Sequence, residues 1–411
     1  MMEIEQQSDG EGKVGKFYLV EPVQSRHAGY KVPYPRSGHC CVTDDRNLYV
    51  FGGYHPEYQR PLEHPNPEIE GNMIIFNEVF QELWCFNFDT RTWCEVETTG
   101  EPPRQTASMS MTLAGNVLLF FGGTCFPWGS ISNNKIYMLD LREKRWSVLQ
   151  VTGEKPPKKY GQAIILLQDK LFVYGGCRQI SEFEFLFDSD LHMLNLQTQI
   201  WSSLSDSKSQ TREMIEARGM YRHGLAHYNN RIFIIGSSWT ELYAHKLQTK
   251  LHAFNTDTLE WELVNIAPSR DDDYPERRVY HSSVQCGNDV YICGGHNNVK
   301  IYDDVWKLSL SELRWTRLTA VMPQPAFFHS AAVTSTKCMY IYGGVTCLED
   351  RVRTSDVYKI WLEPHIPSLL ELSWKTILSH IPDIYGVPRE HLLMLGVPRH
   401  LIDRLKPVWP V

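Results

Sequence analysis

Six times along this chain of 411 residues, an apolar run of strand character ends at a glycine pair or its remnant. The runs are LYVFGG (ending at Gly53), LLFFGG (Gly123), LFVYGG (Gly176), IFIIGS (Ser237), VYICGG (Gly295) and MYIYGG (Gly344). A second strand follows each one: ELWCFNFD from Glu82, KIYMLDLR from Lys135, DLHMLNLQ from Asp190, KLHAFNTD from Lys250, DVWKLSLS from Asp304 and DVYKIWLE from Asp356. After the first five, a turn leads to a tryptophan: Trp93, Trp146, Trp201, Trp261 and Trp315. A unit of about 50 to 70 residues repeated in this way cannot cover its own apolar faces, and it becomes stable only by stacking on its neighbours.

Each feature has a physical reason. A sheet packed on both faces needs apolar residues at successive positions, not only alternate ones. A glycine pair at a strand end allows positive φ and close backbone approach. A tryptophan fills the gap that widens between neighbouring sheets away from a central axis, where its N–H needs a partner. DTRTW at Asp89 and DTLEW at Asp257 are turn sequences joining the outer strands.

These segments resemble the kelch-repeat family over residues 35 to 362. The resemblance implies an all-β fold, a six-bladed kelch β-propeller of four-stranded blades, with a short α-helical C-terminal adaptor-binding tail. The fourth blade departs from the pattern, with Gly236-Ser237-Ser238 in place of the pair. Residues 1–15 are expected to be disordered, 16–362 to form the propeller, and 363–411 the helical tail.

Blade six has inner strands at Phe328–Thr334, Cys338–Tyr342 and Asp356–Leu362, but Glu363-Pro364-His365-Ile366-Pro367 then breaks the chain. The β-forming run Lys16-Phe17-Tyr18-Leu19-Val20 is expected to supply the missing outer strand, closing the ring and protecting an open edge. The alternative is that residues up to about 30 are unstructured.

Composition bounds the function. Hydrophobic residues make up 42% and charged residues 22%, which suits a globular core, and the formal net charge is −7 with no basic arm to follow a phosphate backbone. No nucleic-acid or membrane partner is expected, because no apolar run has the length to cross a bilayer. The acidic start MMEIEQQSDGEGK lacks the layout of a signal peptide, which leads to an expectation of a cytoplasmic or nuclear protein. Ten cysteines include no C-x-x-C pair, and Cys85, Cys94, Cys286 and Cys293 lie in strand-like runs, as buried reduced thiols do.

After the propeller the apolar period changes. Ser368-Leu369-Leu370-Glu371-Leu372-Ser373-Trp374-Lys375-Thr376-Ile377-Leu378 has helical spacing, with Leu369, Leu372, Ser373 and Ile377 on one face. Ser368 with Glu371 forms a capping box. Further short helices are expected at Glu390–Leu395 and Arg399–Lys406. The segment resembles the elongin-binding box of cullin-RING ligase receptors, with Ser368, Leu369, Ser373 and Ile377 in its positions and Ser373 where cysteine is usual. Ile381-Pro382 with Tyr385 resembles the cullin-2 box. PRSGHCCV, NLYVFGGY, YGQA and SLLELSW strengthen the likeness to substrate-receptor subunits of cullin-2 RING E3 ubiquitin ligases. That resemblance implies elongin B/C and cullin-2 with a RING partner as partners. It implies client proteins whose C-terminal degrons end in glycine or alanine, marked for proteasomal degradation in protein quality control, with no chemistry done by this chain and no cofactor. The bland alternative is a helical tail packed under the propeller.

Ligands of a propeller meet the loops before each innermost strand and after the second. Before the innermost strands lie Arg36–His39, Lys159–Gly161, Tyr221–His223, Arg278–His281 and Phe327–His329; after the second strands lie Tyr54, Cys125, Arg178, Trp239, His296 and Thr346. Arginine grips a carboxylate bidentately and aromatics make rigid walls. Arg222 is the expected chief anchor, with Arg178 or Arg278 second, and Tyr160, Tyr221, Trp239, Tyr280 and Phe328 as walls. His39, His223, His281 and His329 recur at one repeat position, which argues for a shared structural hydrogen bond over a metal cage. The long insertion between Tyr54 and Phe80 is a wall or lid over this face, or a flap.

No Walker loop, G-x-S-x-G or H-E-x-x-H occurs, and no spacing marks a copper-radical site of the kind some kelch propellers carry. The competing function from another class is a non-enzymatic scaffold that binds actin or a signalling enzyme (kinase or phosphatase) without ubiquitin transfer.

Overall fold

The computed structural model describes residues 15–23, 31–56, 79–182, 184–204, 219–236, 249–381, 384 and 387–405. The start of the chain, the body of the 54–80 insertion, Ser237, Trp239, Pro382, Tyr385 and the last residues lie outside the described residues.

Six sheets follow one another as the blades of a β-propeller. Blade one runs outward through Cys40–Thr43, Asn47–Phe51, Leu83–Asn87 and Thr92–Val96. Blades two to five repeat that order from the innermost strands Ala107–Ala114, Ala163–Leu167, Gly224–Tyr228 and Ser282–Cys286. In blade six, Ser330–Val333, Cys338–Tyr342 and Val357–Trp361 are joined by Phe17–Leu19 as the outer strand, antiparallel with Phe17 opposite Ile360 and Leu19 opposite Tyr358. The first described strand therefore pairs with the last strand of the propeller. Phe17 is buried among Met339, Tyr358 and Ile360.

The middle strands are buried at successive positions, as in Asn47–Phe51, because each blade is covered on both faces. The tryptophans do reach from one blade to the next. Trp93 packs on Tyr342, Trp146 on Phe51, Trp201 on Phe121 and Trp261 on Tyr174, each partner lying in the preceding blade's second strand. Trp146 Nε1 donates to Thr98 Oγ1 at 3.0 Å. Trp201 departs from the expectation, since its buried Nε1 meets no acceptor among the described residues.

The glycine pairs join blades through the backbone. Gly123 N donates to Lys159 O at 3.1 Å, Gly176 N to Met220 O at 2.8 Å and Gly344 N to Arg36 O at 2.9 Å, the last spanning blades six and one. At Gly123 (φ 97°) a Cβ would stand 2.0 Å from Gln105 O, so no side chain fits there.

The tail has its own core. Trp374, Ile384, Leu392, Leu401, Ile402 and Leu405 are buried together. The helices are Leu369–His380, Arg389–Met394 and Arg399–Ile402, the last two starting or ending earlier than expected. Pro388 and Pro398 stand just before the two short helices, where a missing N–H costs nothing. Arg404 ties this unit to a blade-one turn, with Nε 2.8 Å and Nη2 3.1 Å from the Asp89 carboxylate, while Asn87 Nδ2 donates to Arg404 O at 3.0 Å. That turn joins the outer strands, at the end of the blade opposite the loops preceding the innermost strands. No described helix is long and apolar enough to cross a membrane.

Candidate functional site

One position repeats in every blade just before or at the start of the innermost strand, occupied by Gly38, Ser108, Gly161, Arg222, Tyr280 and Phe328. All six are left-handed, with φ of 71°, 53°, 67°, 57°, 58° and 55°. They are linked around the axis. Gly38 N donates to Phe328 O (3.2 Å), Ser108 N to Gly38 O (2.8 Å), Gly161 N to Ser108 O (2.6 Å), Arg222 N to Gly161 O (2.7 Å) and Phe328 N to Tyr280 O (3.0 Å). Two of the six are glycine, which takes this conformation freely. Each of the others costs about 1–2 kcal/mol, offset by the ring of backbone bonds. Strained backbone of this kind collects where side-chain direction matters.

Arg222 makes use of that direction. From blade four it reaches across to blade two, with Nε 3.3 Å and Nη2 3.2 Å from Ser108 Oγ. Its guanidinium carbon stands 5.3 Å from the ring centre of Phe328 in blade six. A Cβ on Gly38 of blade one would lie 3.2 Å from Nη2. The cation therefore sits over the axis, and among the described residues no carboxylate pairs with it. Tyr221 donates to or accepts from Ser108 Oγ at 3.0 Å.

Four of the five expected wall residues come together around it, Trp239 lying outside the described residues. Tyr221 meets Tyr160 at 5.5 Å and Tyr280 at 5.6 Å between ring centres, both edge-on, and Tyr280 stacks on Phe328 at 3.8 Å. His296 lies 5.3 Å from Tyr280, and Tyr54 packs on Trp128 at 4.7 Å. Arg353 Nε donates to Ser37 Oγ at 3.1 Å beneath Tyr54.

The two second-choice arginines differ from Arg222. Arg278 is fully buried and ion-paired inside its own blade with Asp304, Nη2 donating to Oδ2 at 3.0 Å, and it also donates to Gly294 O at 3.3 Å. It holds the blade together and does not face the mouth. Arg36 repeats this arrangement with Glu82 at 2.8 Å, and Lys159 with Asp188 at 2.8 Å. Arg178 Nε also donates to Asp188 Oδ1, at 3.0 Å, and its side chain is only 37% exposed, so its charge is already answered.

Two of the four recurrent histidines make the expected bond to a neighbouring blade, whereas neither ring nitrogen of His223 or His281 meets a partner among the described residues. His39 Nε2 lies 3.1 Å from Tyr342 O, and His329 Nε2 lies 2.9 Å from Ser282 Oγ. Gln162 holds the same repeat position in blade three and donates to Phe121 O at 2.7 Å. Burial pushes the His223 and His281 pKa values down to about 3 and that of His329 to about 4, and holds His39 well below its ordinary value; the Arg222 charge adds to this at His329 and His39. These rings are neutral near pH 7 and give the mouth no cation.

Ser108, Trp128 and the blade-three residues Phe185 and Phe187 escaped the sequence reading. Blade two enters its innermost strand as Thr106-Ala107-Ser108-Met109, with neither the aromatic nor the histidine that each of the other blades has at least one of.

In the tail, Ser368 caps its helix as expected, accepting from Glu371 N (3.2 Å) while Glu371 Oε2 accepts from Ser368 N (2.7 Å). Leu369 (80%), Leu372 (48%) and Ser373 are exposed, with Ser373 Oγ donating to Leu369 O at 2.8 Å. Ile377 and Ile381 turn partly into the tail's own core beside Trp374, so the expected single face is divided.

A family model described as the KLHDC2/KLHL20/DRC7 Kelch-repeats domain matches residues 21–237 and 217–377. Kelch domain-containing protein 10 of Xenopus laevis is 42% identical over 387 residues, 94% of this chain and 89% of that protein. The Homo sapiens protein of that name is 42% identical over 380 residues, covering 92% and 81%. The Drosophila melanogaster homolog is 30% identical over 433 residues, covering 98% and 68%.

Proposed function

The chain belongs to the kelch-repeat propeller family, and from that membership we propose that it is a substrate receptor that binds the free C-terminal tail of a client protein at the mouth of its channel. The observation that carries this is Arg222, a guanidinium held over the axis by Ser108 and walled by Tyr160, Tyr221, Tyr280 and Phe328, with no carboxylate partner among the described residues. A permanently charged planar fork in an aromatic chamber suits a terminal carboxylate. A small last residue, glycine or alanine, lets that carboxylate approach between the rings.

The tail supplies the second half. It carries an exposed Leu369–Leu372–Ser373 surface on a capped helix and is tied to a blade-one turn on the side away from the mouth. A client at one face and elongin B/C with cullin-2 and its RING partner at the other would place the client for ubiquitin transfer, with no chemistry done by this chain. An amphipathic helix with an uncovered apolar stripe fits a partner groove.

The experiment is co-purification with elongin B/C and ubiquitylation of a glycine-ended reporter by the reconstituted ligase. Ser373→Asp, which places an unpaired charge in the interface, is expected to abolish both while leaving the melting temperature unchanged. Full elongin binding by Ser373→Asp would overturn the adaptor assignment.

A further inference from the structure

Beside the mouth, blade three carries a hairpin outside the four-stranded pattern, Cys177–Gln179 paired with Phe185–Phe187. Phe185, Leu186 and Phe187 are 45%, 39% and 36% exposed. Three consecutive large apolar residues on an open strand are unusual on a protein surface and mark a contact site. The blade-two loop that Phe185 meets at Gly129 also carries Phe126, 36% exposed, with its ring 6.3 Å from that of Trp128.

The hairpin is held in place. At its base, Asp188 takes both Lys159 and Arg178. Gly219 packs so closely beneath it that a Cβ there would lie 1.8 Å from Phe187 O. Strand alternation puts Phe185 and Phe187 on one side, and both face the tyrosine walls. Phe187 lies 6.2 Å from Tyr221 between ring centres. Phe185 presses on Gly129, where a Cβ would be 2.6 Å from its Cε1 and 3.3 Å from Tyr160 Oη. Past the strand, Glu182 and Glu184 are exposed at the hairpin tip. From the axis outward the order is therefore cation, aromatic rings, carboxylates.

We propose that this hairpin is a second recognition site, a ledge that takes apolar side chains of the client tail upstream of its carboxylate. The proposal rests on the reading that Arg222 holds that carboxylate. The occupant is an extended chain terminus of complementary order: a free carboxylate, then apolar residues, then a basic residue opposite Glu182 and Glu184. At about 3.3 Å per residue of extended chain, the ledge meets roughly the third to fifth residues from the end. Tails alike at the last residue are then sorted by what precedes it.

The test compares glycine-ended peptides carrying leucine or serine at the third and fifth positions from the end, each as free acid and as amide, on the full chain by fluorescence anisotropy. The leucine free acid is expected to bind about tenfold more tightly than the serine one, and Phe185→Ser, an exposed change, to remove most of that difference while the serine peptide binds as before. Equal affinity of the two free acids, with both amides failing to bind, overturns the ledge and leaves the carboxylate site standing. Amides that bind as well as free acids overturn the carboxylate site itself. A leucine preference unchanged in Phe185→Ser and in Phe187→Ser assigns it elsewhere and also overturns the ledge.

Discussion

Arg222 of blade four and Ser108 of blade two meet across the propeller axis, Nε and Nη2 lying 3.3 and 3.2 Å from one serine Oγ. A single hydroxyl thus holds a long, otherwise mobile side chain over the mouth. Both residues are left-handed and joined through Gly161 in the backbone ring. Ser108→Ala removes the hydroxyl and keeps the ring. Hydrogen bonds to charged groups contribute about 1.5–3 kcal/mol, so affinity for a free-acid peptide should fall roughly ten- to hundredfold. Calorimetric titration reads this, and an unchanged dissociation constant would show that Arg222 is placed by other contacts.

The neutral histidines give a pH signature. An unfolded histidine takes up its proton near pH 6.5, about its ordinary value, whereas His223, His281 and His329 in the fold hold out to about 3–4. Between those limits the unfolded chain binds more protons, so stability is full above pH 6.5 and falls on acidification below it. The melting temperature should be lower at pH 5.0 than at pH 7.5. Peptide affinity behaves differently, because arginine stays charged and a terminal carboxylate titrates near 3.5. Affinity at 25 °C should be flat from pH 8 to 5.5. A rise on acidification centred near pH 6 would place a histidine in the site.

The buried pair Arg278–Asp304 is predicted to support the fold and not the ligand. Arg278 beside it holds the Asp304 carboxyl below its ordinary range, against the opposing effect of burial. Its contribution is therefore present above about pH 4, the unfolded aspartate value, and is lost as pH falls through the lower folded value. Asp304→Ala leaves Arg278 buried without its carboxylate and should cost about 3–5 kcal/mol, read by urea denaturation. A loss under 1 kcal/mol would contradict this role.

The repeat was legible because each element leaves a local mark. Apolar runs ending in glycine pairs and tryptophans after turns are properties of short segments, and the blades follow from counting them. The outer strand of blade six was readable for another reason: Glu363–Pro367 interrupts the pattern where a strand is missing, and Lys16–Val20 has β-forming residues to spare. The site was legible only in part. Arg222, Tyr280 and Phe328 stand at one repeat position and Tyr160 and Tyr221 at the one before it, so they could be found together. Arg278 stands in the same neighbourhood, but its side chain turns into the blade because Asp304 lies across from it, a relation between strands that a linear reading does not carry. Ser108 has neither the aromatic nor the histidine neighbour, one or both of which flagged the other blades, and the Phe185–Phe187 hairpin lengthens a pairing that other blades make only briefly at the same place, Cys125 with Ile131 in blade two and His296 with Ile301 in blade five. In the tail, the capping box of Ser368 and Glu371 is a local motif and was readable. The inward turn of Ile377 and Ile381 depends on the later helices that supply Leu392 and Leu401.

The central claim is that the mouth reads a free carboxylate through Arg222. The direct measurement is the affinity of the full chain for a glycine-ended peptide and for its C-terminally amidated twin, each with the natural chain and with Arg222→Ala. The account predicts tight binding of the free acid alone, reduced at least a hundredfold by Arg222→Ala to the level of the amide, with the melting temperature preserved. Equal binding of acid and amide, or a free-acid affinity untouched by Arg222→Ala, would contradict it.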